Sequence, residues 1–201
     1  MLRAAVLVSG GGTNLQALID SKARGELPSC ELALVLSSNP ESRALDRAHA
    51  AGIEMVVVAR KAFKEGTEFD RAVLVELRAR NIDVVVLAGF LQILGKELIT
   101  AYRDRIINVH PSLIPSFCGR GYYGLKVHES ALARGVKLTG ATVHLVNEIP
   151  DGGRILLQKS VEVMNGDTAE ILQKRVMEQA EWKLLPQALE LLCQEISKKN
   201  H

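Results

Sequence analysis

The chain has 201 residues, of which 47% are hydrophobic and 24% are charged. This length and composition predict one compact globular domain, 1–201, and exclude a disordered chain. The 25 basic and 23 acidic side chains are mixed along the chain and leave a formal net charge of +2. Such a balance argues against a nucleic acid or a membrane surface as the partner.

The cysteines and the N-terminal sequence indicate the compartment. Cys30, Cys118 and Cys193 are odd in number and lack the spacing of metal ligands, which argues against a disulfide framework or a structural zinc. The apolar run Ala4–Val8 is too short for a signal peptide, and no run approaches the ~20 residues of a membrane span. We therefore expect a cytoplasmic protein.

In the first half of the chain, short apolar runs alternate with helical patterns. Strands are predicted at Ala4–Val8, Leu32–Leu36, Met55–Val58 and Ile82–Leu87. Helical periodicity is found at Leu15–Ile19, Ala44–Ala51 and Asp70–Arg80. This alternation predicts a doubly wound, mostly parallel α/β sheet with a Rossmann-like N-terminal half.

The second half of the chain has a different rhythm. A buried strand is predicted up to His110, and a helix near Lys126–Ala133. The β-prone runs Ala141–Val146 and Ile155–Val163 are close enough to pair as antiparallel strands, so we expect a mixed sheet. The helical segment Glu170–Ile196 ends the chain, with Pro186 either kinking it or beginning a second helix.

A glycine-rich loop, Ser9–Asn14, follows the first predicted strand and opens the first helix. Free N–H groups and the helix dipole at such a turn favour a phosphate. Leu15 stands where a dinucleotide-binding loop has its third glycine, and no Gly-Lys-Ser/Thr follows, so NAD and nucleoside triphosphates are disfavoured. The alternative is a tight turn in which Thr13 or Asn14 is an N-cap.

Three polar side chains have the chemistry needed to move a one-carbon acyl group onto an amine. Asn108 and His110 are two residues apart and share one face of the predicted strand. Asp151 precedes two glycines in a turn that allows a close approach of backbone. Spacing alone leaves open whether the Asp151 carboxylate reaches the His110 ring.

Over nearly its whole length the chain resembles the phosphoribosylglycinamide formyltransferase family. The resemblance rests on Ser9–Leu15, Val84–Leu91, Ile107–Pro115, Gly140–His144, and Asp151–Gly153 with Gln158. It implies a formyltransferase-type fold and transfer of the formyl group of 10-formyltetrahydrofolate to the amine of N1-(5-phosphoribosyl)glycinamide in purine (IMP) biosynthesis. It also implies small-molecule substrates, no metal, and a monomer or a homodimer.

The resemblance assigns roles to individual residues. The catalytic residues would be Asn108, His110 and Asp151. The phosphoribosylglycinamide contacts would be Gly11, Gly12, Thr13, Asn14, Pro111 and Glu181. The folate contacts would be Leu91, Gln92, Ile93, Leu94, Asn108, Asn147 and Glu148. The half 1–100 would bind phosphate, and the half 101–201 would carry catalysis and folate binding.

These roles lead to a mechanistic hypothesis. Asn108 and His110 would stabilise the oxyanion of a tetrahedral intermediate by donating hydrogen bonds to the formyl oxygen. Asp151 would raise the pKa of His110 and hold it as an imidazolium. Proton transfer from the amine would use Asp151 or a water molecule.

Three features depart from the family pattern. Gln92 stands where several members have arginine, and the segment 116–124 is a few residues longer than in the shorter forms. Glu181 lies one residue farther from Arg175 than is common, and Trp182 replaces a histidine. A bulge or a shifted helix register would absorb the extra residue.

Three other functions compete with this one. Methionyl-tRNA formyltransferase and formyltetrahydrofolate hydrolase share the Asn, His and Asp set, but each has an additional domain, C-terminal in the first and N-terminal in the second. A length of 201 residues weakens both alternatives. The third is a non-catalytic phosphate-binding module that uses only the glycine loop.

Overall fold

A computed structural model describes residues 1–199, so the last two positions of the predicted domain, 200 and 201, lie outside the described residues. One seven-stranded sheet has the order β3-β2-β1-β4-β5-β6-β7. Its strands are β1 (Leu2–Val8), β2 (Cys30–Ser37), β3 (Glu54–Val57), β4 (Val84–Leu87), β5 (Ile106–His110), β6 (Leu138–Leu145) and β7 (Ile155–Glu162). The pairings from β3 through β5 are parallel and those of β6 are antiparallel, which confirms the predicted mixed sheet.

Helices cover both faces of the sheet, as a doubly wound fold requires. They are α1 (Thr13–Ala23), α2 (Ala44–Ala50), α3 (Gly66–Ala79), α4 (Lys96–Ala101), α5 (Leu125–Arg134), α6 (Ala169–Val176) and α7 (Trp182–Lys199). A single 3-10 turn spans Arg60–Ala62, and a π-helical segment spans Met177–Glu181.

Alternation along the strands divides the apolar residues between two cores. In β1, Ala4, Val6 and Val8 enter the core that contains α7, whereas Ala5 and Leu7 enter the core that contains α3. All five side chains are fully buried, because a sheet covered on both faces has no solvent side.

Several boundaries differ from the sequence predictions, and two of them have a clear physical reason. Ile82 was predicted to begin β4, but its N–H donates to the Leu77 carbonyl and so closes the end of α3. The helix α3 begins at Gly66 rather than at Asp70, because Phe69 already belongs to its buried face. The helix α4 was not predicted, since six residues are too few to establish a helical periodicity.

The C-terminal helical segment breaks at a different place from the predicted one. Pro186 lies inside α7 as its fifth residue, so the alternative in which a second helix begins at Pro186 is wrong. The break is the π-helical segment Met177–Glu181, whose wider turn accommodates one more residue than an α-helical turn. A π-helical segment at this place is a bulge of the kind predicted before Glu181.

Strand register aligns the predicted site residues. Leu7 of β1 pairs with Leu87 of β4, Leu87 pairs with Asn108 of β5, and Asn108 pairs with His144 of β6. Neighbouring strands lie about 4.8 Å apart, so the ends of β1 and β5 are roughly 10 Å apart. The glycine loop and the Asn108 side chain thus belong to one region of the sheet.

Among the helices within residues 1–199, none is long and apolar enough to cross a membrane.

Candidate active site

Asn108 and His110 project from the same face of β5, as alternation predicted. Ile107 and Val109 point into the core on the opposite face, which fixes the orientation of the two polar side chains. Asn108 is half-buried, and His110 is buried with a relative exposure of 4%.

The structure brings Asp151 to these residues. Its Oδ2 lies 3.6 Å from His110 Nδ1 and accepts a 2.8 Å hydrogen bond from the Gly119 N–H. The turn that carries Asp151 can pack this closely because Gly153 has no side chain. A Cβ atom at this position would collide with the Leu145 carbonyl. Amide, imidazole and carboxylate therefore converge, and the question that sequence spacing left open is answered by this geometry.

His144 also lies in this cluster, although sequence reasoning left it out. Its Nε2 is 3.3 Å from Asn108 Nδ2 and 3.5 Å from Asp151 Oδ1, and its Nδ1 donates to the Leu145 carbonyl. His144 thus contacts both neighbouring polar groups and restricts their orientation. The sequence indicated only that His144 and Thr142 lie on the same face of their strand. The antiparallel register that places His144 beside Asn108 cannot be predicted from the sequence of one strand.

The charge state of His110 differs from the expectation. Burial lowers the pKa of His110, and Asp151 and the Phe117 carbonyl offset this effect only in part. His110 Nε2 donates a 2.9 Å hydrogen bond to the Phe117 carbonyl, which leaves Nδ1 facing Asp151. Asp151 does raise the pKa of His110, as predicted, but desolvation of the ring outweighs the attraction of the carboxylate, so the net shift disfavours the predicted imidazolium.

Asp151 is the charged member of this cluster. Burial alone would raise the pKa of its carboxyl, but hydrogen bonding by His144, the charge of His110 and the Gly119 N–H together lower it. The carboxylate is therefore ionised at neutral pH and able to accept a proton through a hydrogen-bonded partner.

The turn after His110 is held by the hydroxyl of Thr142, which is fully buried. This hydroxyl donates to the Ser112 carbonyl at 2.7 Å and accepts from the Ile114 N–H at 3.1 Å. It also accepts a 3.0 Å hydrogen bond from Gln158 Nε2, which donates to the Ile114 carbonyl as well. Pro111, half-buried, lies between this turn and His110.

The carbonyls of the glycine loop are bound by neighbouring groups. The Gly10 carbonyl accepts from Ser42 Oγ and from the Ala44 N–H, and the Gly11 carbonyl accepts from Arg47 Nε. Gly12 is the N-cap at φ 72, and a side chain there would collide with Ala44. The first N–H groups of a helix have no intrahelical acceptor, so this turn is suited to an anion.

Neither Thr13 nor Asn14 is the N-cap, so the capping alternative is wrong: both are residues of α1, and Gly12 makes no side-chain cap. Asn14 is buried, and its Nδ2 donates a 2.7 Å hydrogen bond to Glu181 Oε2. Burial raises the pKa of Glu181 to about 7, against the opposing effect of Asn14. The structure therefore joins two predicted ribonucleotide contacts from opposite ends of the chain.

The predicted folate segment, Leu91–Leu94, is held at both ends. The Leu91 N–H donates to Ser9 Oγ at 3.0 Å, and the N–H of Gly95, which follows the segment, donates to Asp70 Oδ2 at 2.7 Å. Leu91 and Ile93 are 63% and 66% exposed, whereas Gln92 is half-buried and Leu94 is buried. Exposed leucine and isoleucine side chains on a fixed segment suit a flat aromatic ligand.

The other two predicted folate contacts belong to the turn before Asp151. Asn147 Oδ1 accepts from the Ile149 N–H and its Nδ2 donates to the Gly152 carbonyl, so this side chain organises the turn. Glu148 is exposed and lies 3.8 Å from Arg103. Ile149, 66% exposed, adds another apolar side chain beside them.

Over residues 1–199, no group of three or more His, Cys, Asp or Glu side chains has the arrangement of a metal site.

A sequence model described as formyl transferase matches residues 2–189. The chain belongs to the formyl transferase family. It is 44% identical over 191 residues to the human trifunctional purine biosynthetic protein adenosine-3, covering 95% of this chain and 18% of that protein. It is 38% identical to phosphoribosylglycinamide formyltransferase of Haemophilus influenzae, covering 92% of this chain and 84% of that protein.

Solved structures of the formyl transferase family have the same fold. Glycinamide ribonucleotide transformylase 1 from Symbiobacterium toebii superposes with a TM-score of 0.91 at 38% identity, covering 97% of this chain and 89% of that one. A formyltetrahydrofolate deformylase from Pseudomonas syringae gives 0.84 at 30% identity, covering 96% of this chain and 62% of that one. The chain spans less than two thirds of the length of the first curated relatives that it matches; in the human protein it corresponds to 18% of the length.

Proposed function

We propose that this protein transfers the formyl group of 10-formyltetrahydrofolate to the amine of N1-(5-phosphoribosyl)glycinamide, a step of purine biosynthesis. The observation that carries this proposal is the convergence of Asn108, His110 and Asp151. By strand spacing, this cluster lies about 10 Å from the glycine loop that opens α1. One substrate would be held by its phosphate at that loop and the other by the segment Leu91–Leu94.

The residues fit both substrates. The N-terminus of α1 favours the phosphate through its N–H groups and its dipole. The Glu181 carboxyl accepts hydroxyl donors, as a ribose offers. Leu91, Ile93 and Ile149 present exposed apolar surface that a planar aromatic ring system would cover.

In the reaction, the amine nitrogen bonds to the formyl carbon and the bond from that carbon to the folate nitrogen breaks. The amine loses one proton, and the departing folate nitrogen gains one. Negative charge develops on the formyl oxygen, where an N–H of the Asn108 amide and an N–H of His110 stabilise it. Asp151, ionised and beside His110, receives the proton of the amine directly or through a water molecule, and the same proton then passes to the departing folate nitrogen.

One hydrogen bond has to change before His110 can serve the formyl oxygen. Its Nε2 is bound to the Phe117 carbonyl, and its Nδ1 faces Asp151. Because Phe117 belongs to the long segment 116–124, a movement of this segment frees Nε2 for the substrate. Hydrogen bonds of catalytic groups often rearrange in this way when substrate binds.

The test is formyl transfer to phosphoribosylglycinamide, followed by folate absorbance. We expect His110→Ala and Asp151→Asn to lower kcat by ~10²–10³. His49→Ala and Asp46→Asn, which alter exposed residues of α2, are the matched controls and should retain full turnover. Full activity of either site variant would refute the assigned site.

The deformylase activity named for the Pseudomonas syringae relative is the second candidate, because the same cluster would serve attack by water. Release of formate from the folate without any ribonucleotide would favour it. Formation of the formylated ribonucleotide, with formate release at background, would exclude it.

We place the reaction in the cytoplasm, since the three cysteines are not joined by disulfides.

A further inference from the structure

The hydroxyl of Ser9 connects the two proposed substrate sites. Ser9 is the first residue after β1 and begins the glycine loop, and its relative exposure is 8%. Its Oγ accepts the N–H of Leu91, the first residue of the folate segment, at 3.0 Å. The same oxygen lies 2.7 Å from the Oγ of Ser38, just after β2. One buried side chain therefore joins the ends of three neighbouring strands.

The folate segment depends on this contact for its position. Its other end is fixed by Asp70, which belongs to α3 and lies outside the glycine loop. Of the two anchors of Leu91–Leu94, only Ser9 also belongs to the phosphate-binding turn. Any ordering of that turn reaches Leu91 through one residue and one hydrogen bond.

The glycine loop is itself held at the next residue. The Gly10 carbonyl accepts from Ser42 Oγ at 2.7 Å and from the Ala44 N–H at 3.1 Å. A phosphate bound at this turn would add contacts to the same peptides and so would restrict further the turn that Ser9 begins. A ligand that orders a shared element reduces the ordering cost for a second ligand.

We infer that Ser9 is a positioning residue that couples ribonucleotide binding to folate binding, so that each ligand tightens the other. This inference rests on the proposed function, since it takes the two subsites from it. Coupling of this kind is reciprocal and typically amounts to about 5–150-fold in affinity. For a single hydrogen bond we expect the lower end, about 5–10-fold.

The experiment is isothermal titration of tetrahydrofolate into the full-length protein, with and without saturating phosphoribosylglycinamide. We expect the ribonucleotide to lower the Kd of the wild-type protein for tetrahydrofolate by about 5–10-fold. In Ser9→Ala, the ratio of the two Kd values should fall to within twofold of one. Ser9→Cys, of similar size but with a weak acceptor, should reduce the ratio in the same direction.

Ser38→Ala is the control, because it removes the contact with Ser9 but leaves the Leu91 N–H with its acceptor. Its ratio should equal that of the wild type. A wild-type ratio in Ser9→Ala or Ser9→Cys would overturn the inference, as would an equal loss of folate affinity with and without ribonucleotide. A wild-type protein that binds neither ligand would refute the proposed function, whereas binding of both without coupling would refute only this inference.

Discussion

The amide of Asn14 donates a 2.7 Å hydrogen bond to the carboxyl of Glu181, across 167 positions of sequence. Glu181 reaches this position from the last residue of the π-helical segment, and Asn14 from the first turn of α1. Burial raises the pKa of Glu181 to about 7, so near neutral pH this carboxyl is only partly ionised. The contact is consequently sensitive to pH in the physiological range.

Replacement of Glu181 by glutamine should stabilise the free protein at alkaline pH. The pKa in the folded state, about 7, exceeds the ordinary value of 4.5, so the stability linked to this group is complete below about pH 4.5 and is lost as the pH rises through 7. Glutamine does not titrate and still accepts from Asn14. We expect Glu181→Gln to raise the free energy of unfolding by about 3 kcal/mol at pH 8 and to change little at pH 4.5. Urea unfolding at the two pH values measures this.

The control is Glu178→Gln, which alters an exposed carboxyl of the same π-helical segment. Its stability should follow the wild-type pH dependence. If Glu181→Gln shows the wild-type pH dependence too, the carboxyl is not titrating near neutrality in the folded protein.

Glu181→Gln should also bind the ribonucleotide less well. An ionised carboxylate accepts hydroxyl hydrogen bonds more strongly than an amide does. We expect Glu181→Gln to raise the KM for phosphoribosylglycinamide about tenfold, from a loss of about 1.4 kcal/mol, with kcat nearly unchanged. Initial rates at varied ribonucleotide and saturating folate test it, and an unchanged KM would remove Glu181 from the proposed contacts.

The sheet was predictable because its strands carry a local signal. Continuous apolar runs such as Val84–Leu87 indicated buried parallel strands, and two neighbouring β-prone runs indicated the antiparallel pair. The helix α4 was not predicted because it is too short to show a helical periodicity. The segment Leu91–Leu94 reads as apolar and would ordinarily be buried, yet its side chains at 91 and 93 face solvent.

The site was predictable where the residues lie near one another in sequence, and less so elsewhere. Asn108 and His110 follow from alternation within one strand. The contacts of Asp151 and Glu181 depend on a turn that folds back and on the π-helical segment. The sequence singled out Asp151 but left its contact with His110 open, and only the family resemblance assigned Glu181 in advance. The lowered pKa of His110 could not be predicted, because burial is a property of the packed chain.

Asp70 should be a source of instability at neutral pH. Its Oδ2 accepts from the Gly95 N–H, but its Oδ1 is buried and has no hydrogen-bond partner within residues 1–199. Burial raises the pKa of this carboxyl, so the linked stability is present at low pH and lost as the pH rises through the folded pKa. Asp70→Asn keeps the acceptor without the charge. We expect it to raise the free energy of unfolding at pH 7.

The comparison variant is Asp70→Ala, which also removes the acceptor of the Gly95 N–H. It should lower the free energy of unfolding by about 2 kcal/mol, because a buried donor loses its partner. Guanidinium unfolding of both variants decides the matter, and a destabilised Asp70→Asn would mean that the charge itself is needed.

His128 should limit stability in acid. It is fully buried, and neither ring nitrogen has a partner in the part of the chain that the structure describes. Burial and the charge of His110 lower its pKa to about 4. The linked stability is therefore present above the unfolded pKa of about 6.5 and lost as the pH falls through 4. His128→Leu should be about 2 kcal/mol more stable than the wild type near pH 4.5 and differ little at pH 7.

Circular dichroism during acid titration measures this difference, with the exposed His49→Leu as the control. The transition of His128→Leu should lie at lower pH than that of the wild type, and His49→Leu should coincide with the wild type. Coincidence of all three curves would show that His128 does not govern acid unfolding.

Thr142 should support catalysis without touching substrate. Its buried hydroxyl makes three hydrogen bonds, to Ser112, Ile114 and Gln158, and so holds the turn that follows His110. Thr142→Val keeps the shape but removes the hydroxyl partner of the Ser112 carbonyl and of the Ile114 N–H, and one of the two acceptors of Gln158, which should cost about 2–4 kcal/mol of stability. We expect kcat to fall by about tenfold, since small displacements of a catalytic group reduce turnover, while the KM values change less.

Thr142→Ser retains the hydroxyl and should restore kcat to within about twofold. Gln158→Leu removes one of the three bonds, from an exposed side chain, and should cost about 1 kcal/mol. Because the two residues share a hydrogen bond, Thr142→Val with Gln158→Leu should be less destabilised than the sum of the single variants. Strict additivity, or full kcat in Thr142→Val, would mean that the turn keeps its position without this hydroxyl.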